Sequence, residues 1–267
     1  YDTYAMVIES EHATGDIIIP KYVEFGGEQF LIKEIGQRAF YTSSITSISF
    51  PGDSEVQTFG NQVFGSCKAI KLVRLPPKLV SFGKGWCVNT PSLERVEVLE
   101  GSQNYISDNH AIYTSDRSKL VFCDRNIGSF EVPSPVSEIN IFAFHIPNLK
   151  KVTFSENSNL KTIDCSAFRG SSIEEIELPP TLQVIKDYAF YGCKILKKVT
   201  FKEGSQLKEI LHHAFDGTAI TEITLLGPIS IIGICCFKNA HNLSKLTIKN
   251  EVTASILQGA FTNVSKE

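Results

Sequence analysis

Apolar residues recur along this chain with one spacing, which is most complete between Ile173 and Cys193. Within that segment the apolar positions are Ile173, Ile176, Leu178, Leu182, Ile185, Ala189 and Phe190. The same spacing starts again at Ile127 and at Ile220, about 46 residues to either side. A period this short predicts stacked structural repeats, because one repeat cannot bury its apolar side chains without neighbours on both sides.

Two kinds of repeat unit alternate along the chain. Each opens with an apolar-x-x-apolar-x-apolar run, whose last three positions have the period of two that is typical of a β-strand. The next isoleucine follows that run at an offset of seven in short units (Leu178 to Ile185) and nine in long units (Phe201 to Ile210). This pattern predicts an α/β solenoid of about ten coils of about 22–25 residues, with a parallel β-ladder on one face and short helical or irregular turns on the other.

The repeats also suggest how the chain is divided. Residues 1–16 alternate loosely at Tyr4 and Met6 and then turn at Gly15, which predicts an N-terminal strand that caps the stack. Residues 17–267 form the predicted solenoid. Its first unit contains nine extra residues, which include Gly26-Gly27.

Composition excludes several functional classes. The formal charge is −3, with a pI of about 6.1, so the chain offers no basic field for nucleic acid or anionic lipid. No stretch approaches the roughly 18 apolar residues of a membrane helix, so no membrane insertion is predicted. The chain has no initiator methionine, and the last unit stops soon after Phe261, so we expect a larger parent protein.

The seven cysteines do not form an evident disulfide pattern. Cys67 and Cys193 share the position three residues after a phenylalanine, but about five coils separate them, roughly 25 Å at strand spacing. A disulfide requires Cα atoms within about 7 Å. We therefore expect reduced cysteines that serve as small buried side chains. Free thiols are favoured in reducing surroundings, which leaves the compartment open.

One position, three residues before the phenylalanine, carries reactive side chains in successive units: Cys165, Asp187 and His212. Stacked, they suggest either a Cys–His–Asp catalytic group or a metal site. In other units the same position holds Gln37, Asn61, Lys84 and Gln258. Because the position tolerates such different residues, we predict that it lies on the outer surface, and we expect no catalytic residue, metal or cofactor.

Charged residues alternate along the outward face of the predicted ladder. In the last five units one outward position reads Lys151, Glu175, Lys198, Glu222 and Lys245. One interpretation is a self-neutralising ladder that keeps the sheet soluble and in register, since opposite charges on adjacent strands contribute about 0.2–1 kcal/mol each. The other is a polar docking surface for a protein partner. The face lacks aromatic anchors and is expected to be flat, without a cavity of ligand size.

The repeat resembles the BspA-like leucine-rich repeats. The sequence Leu-x-x-Ile-x-Leu-Pro-x-x-Leu-x-x-Ile-x-x-x-Ala-Phe-x-x-Cys is the pattern of that family, and residues 173–193 match it most fully. Residues 108–122 are similar to a hairpin that interrupts the repeats of the family, with Asp116 and Arg117 at its tip as a second candidate contact. The resemblance implies a right-handed leucine-rich-repeat solenoid, which we expect to continue through this insertion without a hinge.

The resemblance also implies a function. BspA-like proteins are surface and secreted proteins of bacteria and mucosal protists, and several are implicated in adhesion. We therefore expect a non-enzymatic binding or adhesion module, at the cell surface or secreted, whose ligand is a protein or cell surface such as host matrix. The alternative is an intracellular, cytoplasmic scaffold built on the same solenoid, which the unpaired cysteines favour.

Overall fold

The computed structural model describes residues 4–249 and 254–264, which form two compact units. The first unit runs to residue 115 and includes residues 123–125; the second comprises residues 116–122 and the chain from residue 126. The described residues form about eleven leucine-rich-repeat turns, close to the predicted number. None of the elements found in these ranges is a helix, so no helix long and apolar enough to cross a membrane is found there.

The first unit contains two parallel sheets. Its strands are β1 (Ala5–Val7), β2 (Thr14–Ile18), β3 (Tyr22–Phe25), β4 (Glu28–Ile35), β5 (Ser44–Ser49), β6 (Thr58–Phe59), β7 (Leu72–Leu75), β8 (Ser81–Phe82), β9 (Arg95–Val98), β10 (Tyr105–Asp108) and β11 (Ala111–Thr114). One sheet has the order β1-β4-β6-β8 and the other β2-β5-β7-β9. Strands β1 and β2 are therefore outermost. The division into a capping strand over residues 1–16 and a solenoid over residues 17–267 stays a prediction.

Two antiparallel hairpins extend the first unit. The nine extra residues of the first repeat contribute to a β3–β4 hairpin, whose two-residue turn is Gly26-Gly27, with φ of 63° and 82°. Strands β10 and β11 form the second hairpin around Asn109-His110, with φ of 46° and 63°. Positive φ at both turn residues is typical of the type I′ turns that match the twist of a hairpin.

The second unit contains the longer ladder. Its strands are β12 (Lys119–Cys123), β13 (Ser129–Val132), β14 (Glu138–Ile139), β15 (Lys151–Phe154), β16 (Thr162–Ile163), β17 (Glu175–Leu178), β18 (Val184–Ile185), β19 (Lys198–Phe201), β20 (Glu209–Ile210), β21 (Glu222–Leu226), β22 (Ile231–Ile232), β23 (Lys245–Lys249) and β24 (Ser255–Ile256). The even-numbered strands from β12 to β24 pair in parallel, with Ile163, Ile185 and Ile210 in register. The predicted parallel ladder is thus confirmed.

The predicted α/β class and helical turns are wrong, and the hydrogen bonds of the turns show why. In the turn that follows β16, the N–H of Ala167 donates to the carbonyl of Asp164, three residues earlier. The next N–H, of Phe168, donates instead to Ala189 in the following coil, at 2.8 Å. An α-helix requires each N–H to bond four residues back within its own segment. Alternate amides here link neighbouring coils, and Ser166 has a φ of 56°, so the turns are irregular.

Stacked phenylalanines form the centre of the second unit. The rings of Phe144, Phe168, Phe190, Phe215, Phe237 and Phe261 follow one another at centroid distances of 4.9–5.5 Å and interplanar angles of 4–17°. Isoleucines and leucines of each strand pack beside them and are buried. Each coil therefore covers the apolar side chains of the coil before it, as the repeat spacing predicts.

Candidate functional site

The five alternating charges lie on one face of the second unit. Each is the first residue of its strand, in β15, β17, β19, β21 and β23 respectively, and each is exposed. The Cα partner of Glu175 is Lys198, and that of Glu222 is Lys245, so opposite charges face each other across two strand pairs. Lys151 faces Ser129 instead. We call this set of five residues the ladder face.

The charges of the ladder face are not locked into ion pairs. Within the part of the chain that the structure describes, no ion pair includes any of the five side chains. The first unit differs, because Glu97 on β9 forms ion pairs with both Arg74 and Arg95, at 2.9 and 3.2 Å. The alternation therefore leaves the five charged groups in contact with solvent and able to meet a partner.

The ladder face is interrupted rather than continuous. Its strands pair only as β13 with β15, β17 with β19, and β21 with β23. At the break between β15 and β17 lies a cleft of about 520 Å³, which residues of β15, β17 and β19 line. The prediction of a flat face without a cavity is therefore wrong. In the second unit each interruption follows a long repeat unit, so the alternation of unit length is the sequence signal that could have located the cleft.

The floor of the cleft is apolar. Phe154 on β15 is half-buried, whereas its equivalents Leu178 and Phe201 are buried. Pro179 and Pro180 form the adjoining wall. The cleft thus exposes part of an aromatic ring that the regular repeat would cover. Such a surface provides the apolar contact that the strand face itself lacks.

The walls of the cleft are polar and carry both signs of charge. Lys151, Glu175 and Lys198 of the ladder face line it. Lys202 and Glu177 line it too, and their side chains form an ion pair at 3.4 Å. Pairs of opposite charges around an apolar floor favour a partner of complementary potential and fix its orientation.

Backbone groups also face this cleft. Strand β15 bonds to β13 through one edge, and β17 bonds to β19 through one edge. The edges that face each other have no partner strand in the described ranges. Unpaired strand edges present N–H and C=O groups that can bond to polar groups of a partner. The arrangement is therefore equipped for binding through shape, charge and backbone hydrogen bonds.

The predicted contact in the insertion has a different setting. Asp116 and Arg117 lie in the turn between β11 and β12, whereas the tight turn of the β10–β11 hairpin is at Asn109-His110. The carboxylate of Asp116 accepts from the N–H and hydroxyl of Ser118, at 2.9 and 2.8 Å, which stabilises the turn. Neither Asp116 nor Arg117 lines the cleft.

The Cys165, Asp187 and His212 position is a series of structural hydrogen bonds between coils. The carboxylate of Asp187 accepts from the backbone N–H of His212 at 2.9 Å. His212 Nδ1 in turn accepts from the backbone N–H of Ile234 at 2.9 Å. Among the described residues, no three or more His, Cys, Asp or Glu side chains are grouped so that they could hold a metal ion. The side chains of Asp187 and His212 thus satisfy backbone donors of the following coil.

The cysteines that follow phenylalanine also bond between coils. The Sγ of Cys67 donates to the carbonyl of Phe40 at 2.7 Å, and that of Cys193 to the carbonyl of Phe168 at 3.0 Å. In each case the carbonyl belongs to the preceding coil. The cysteine of the repeat is thus a small buried donor, as well as an apolar side chain.

We expect all seven thiols to be free and most to be slow to react. Cys67, Cys87, Cys123, Cys193 and Cys236 are buried. Burial raises the pKa of Cys87 and Cys193 to about 11, so little thiolate is present at neutral pH. Thiol titration should count close to seven in the unfolded, unreduced chain, and no more than two fast thiols, Cys165 and Cys235, in the native chain. A count of three or fewer after unfolding would show disulfides instead.

Comparisons with known proteins agree with this architecture. A sequence model of the BspA type leucine rich repeat region matches residues 21–117, 115–206 and 161–267, in six copies. The solved structure of the pneumococcal vaccine antigen PcpA is similar, with 19% identity, 93% of this chain and 81% of that chain covered, and a TM-score of 0.56. A leucine-rich repeat protein from Eubacterium ventriosum is 18% identical, with 96% and 90% covered and a TM-score of 0.58. A search of curated proteins found no match.

Proposed function

Since this chain belongs to the BspA-type leucine-rich-repeat family, we propose that it is a non-enzymatic adhesion module of a surface-exposed protein. Leucine-rich-repeat proteins of this kind are generally non-enzymatic binding scaffolds, and the chain is a protein-interaction module. The observation that carries the proposal is the ladder face with its cleft. It joins solvent-exposed charges of both signs to an apolar floor, which is the combination that protein interfaces use.

Similarity of fold supports a location at the cell surface. One protein of similar fold is a pneumococcal vaccine antigen. The partner that we infer is a protein or cell-surface ligand such as host matrix, and not nucleic acid, because the net charge is −3. The seven free cysteines favour the second candidate, a cytoplasmic scaffold. A membrane-impermeant thiol reagent applied to intact parent cells under mild denaturation of surface proteins separates the two locations.

Charge reversal on the ladder face is expected to weaken binding at least about 10-fold. The variant carries Lys151→Glu, Lys198→Glu and Lys245→Glu. Two of these changes set like charges on paired strands, opposite Glu175 and Glu222, at a cost of about 0.2–1 kcal/mol each. The fold is therefore retained, and circular dichroism should hardly change. Binding is measured by surface plasmon resonance against immobilised matrix proteins and against whole mucosal cells.

The matched control has the same change of charge away from the ladder face. It carries reversals at three exposed lysines of the second unit, namely Lys161, Lys194 and Lys208. We expect its affinity to stay within about twofold of the affinity of the unaltered chain, because surface charges far from an interface contribute little to binding. Arg117→Glu tests the insertion separately. If the ladder variant and the control bind with equal affinity, the ladder face is not the binding site. If only the Arg117→Glu chain binds more weakly, the contact lies in the insertion.

A further inference from the structure

The β3–β4 hairpin, residues 22–31, exposes the most apolar side chains of the first unit, and we call it the arm. Phe25 stands at the tip with 81% of its surface exposed, the largest exposed fraction of any large apolar residue described. The Gly26-Gly27 turn, with positive φ at both residues, holds the ring at the end of the hairpin. Residues 28–31 of β4 pair with β3, and β4 joins its parallel neighbours only from residue 32 onward. The arm therefore extends past the regular coil.

Both faces of the arm are apolar. Val23 lies opposite Phe30 on one face, and Tyr22 lies opposite Leu31 on the other. Tyr22, Val23 and Leu31 are exposed by 44%, 39% and 37%. A two-stranded hairpin is marginally stable when nothing covers it. Exposed apolar residues concentrated on one projecting element are typical of an interaction site rather than of an ordinary surface. An arm with two apolar faces fits a recess better than a flat surface.

Charge at the tip narrows the choice of partner. Glu28 lies opposite Phe25 across the hairpin, and Glu24 lies on the other face, where its carboxylate accepts from the amide of Gln29 at 3.1 Å; both glutamates are exposed. Two carboxylates at the tip, one on each face, disfavour an anionic membrane surface, because its lipid headgroups repel them. They favour an apolar recess with ammonium or guanidinium groups at its rim.

The cleft between β15 and β17 has that chemistry. Phe154 and the two prolines give it an apolar lining, and Lys151 and Lys198, which also line it, form no ion pair with any residue that the structure describes. Its volume of about 520 Å³ lies within the roughly 300–1,000 Å³ that is typical of binding sites. Glu175 stands between the two lysines, so the two carboxylates of the arm tip must lie on either side of it.

We propose that the arm of one copy docks in the β15–β17 cleft of a second copy of this chain. Phe25 enters the cleft against Phe154, and Glu24 and Glu28 pair with Lys151 and Lys198. The inference deepens the proposed function, because it rests on the cleft as a docking surface, and it adds a homotypic partner. Arm and cleft are different surfaces, so the contact is heterologous and further copies add until a ring closes. An interface this small is weak or transient.

Sedimentation equilibrium of the chain, at loading concentrations from about 1 µM to about 1 mM, tests the proposal. We expect the weight-average mass to rise with concentration. Phe25→Ser should raise the dissociation constant at least about 10-fold, as the loss of an aromatic anchor does. Val80→Ser is the matched control, because Val80 is 58% exposed in the same unit and lies in neither arm nor cleft; it should change nothing. Circular dichroism verifies that each variant is folded.

A charge exchange identifies the two surfaces. Glu24→Lys with Glu28→Lys, and separately Lys151→Glu with Lys198→Glu, should each abolish association, and the chain with all four changes should recover it to within about threefold. A chain that stays monomeric throughout, or association that survives Phe25→Ser, would overturn the proposal. The proposal is also wrong if the two double variants lose association and the variant with all four changes does not regain it, because the arm would then bind elsewhere. The binding of matrix proteins by the Phe25→Ser chain is measured in parallel. A failure of the contact between copies therefore leaves the proposed function intact.

Discussion

Replacement of Phe190 by alanine is expected to lower the free energy of unfolding by about 3–5 kcal/mol. Phe190 is fully buried and stacks on Phe168 at 4.9 Å and on Phe215 at 5.1 Å, with its ring nearly parallel to both. Removal of the ring therefore loses contacts with two coils and leaves a cavity that neither neighbour can fill, because each is held by the next ring in the stack. Chemical denaturation followed by circular dichroism measures the change.

The matched control is Phe25→Ala, which removes the same ring from an exposed position. At concentrations where the chain is monomeric, we expect it to change the free energy of unfolding by no more than about 0.5 kcal/mol. A loss of less than about 1 kcal/mol for Phe190→Ala would mean that the coils collapse onto the cavity, and it would contradict a core built from stacked rings.

Substitution of Gly233 by alanine is expected to cost about 1–3 kcal/mol, although it adds a single methyl group. A Cβ at this position would lie 2.4 Å from the carbonyl carbon of Leu211 and 2.6 Å from the nitrogen of His212. Both are backbone atoms of the preceding coil, so no side-chain rotation relieves the clash. The N–H of Gly233 donates to the carbonyl of Ile210 at 2.7 Å, and the coils must separate at this bond to admit the methyl group.

Gly128→Ala provides the comparison for that substitution. A Cβ at Gly128 meets no atom within 4 Å, and its φ is not in the left-handed region, so alanine is expected to be neutral or slightly stabilising. Both variants are measured by the same denaturation experiment. Equal stability of the two variants would show that the close approach of coils at Gly233 is relieved by a small backbone shift.

Much of the fold follows from the spacing of apolar residues. The positions from Ile173 to Phe190 that define the repeat are buried. For the turns the prediction left helical and irregular forms open, and the irregular form is found. Which form results depends on whether the backbone amides bond within the coil or to the next one. The apolar pattern does not contain that information, because it reports side-chain burial alone.

The candidate site was predicted only in part. The alternating charges from Lys151 to Lys245 could be placed on one face, since side chains along a strand point alternately to opposite sides. The cleft was not predicted, because unit length, the one signal that coincides with it, does not by itself state which adjacent strands pair. The arm was visible only as extra residues around Gly26-Gly27. Its exposed Phe25 looks in the sequence like any core phenylalanine.

The two ladders of the second unit differ in continuity, and this difference determines how the unit responds to force. The even-numbered ladder from β12 to β24 is paired at every step, whereas the ladder face is interrupted between β15 and β17 and again between β19 and β21. Tension along the stacking direction is therefore carried by strand-pair hydrogen bonds on one side, whereas two steps on the other side have no strand pairing among the described residues. We expect the unit to bend about its continuous side, so that the cleft widens before any strand pair breaks. A module that is pulled while bound would thus change the shape of its docking surface, while the hydrogen bonds between its paired strands stay intact.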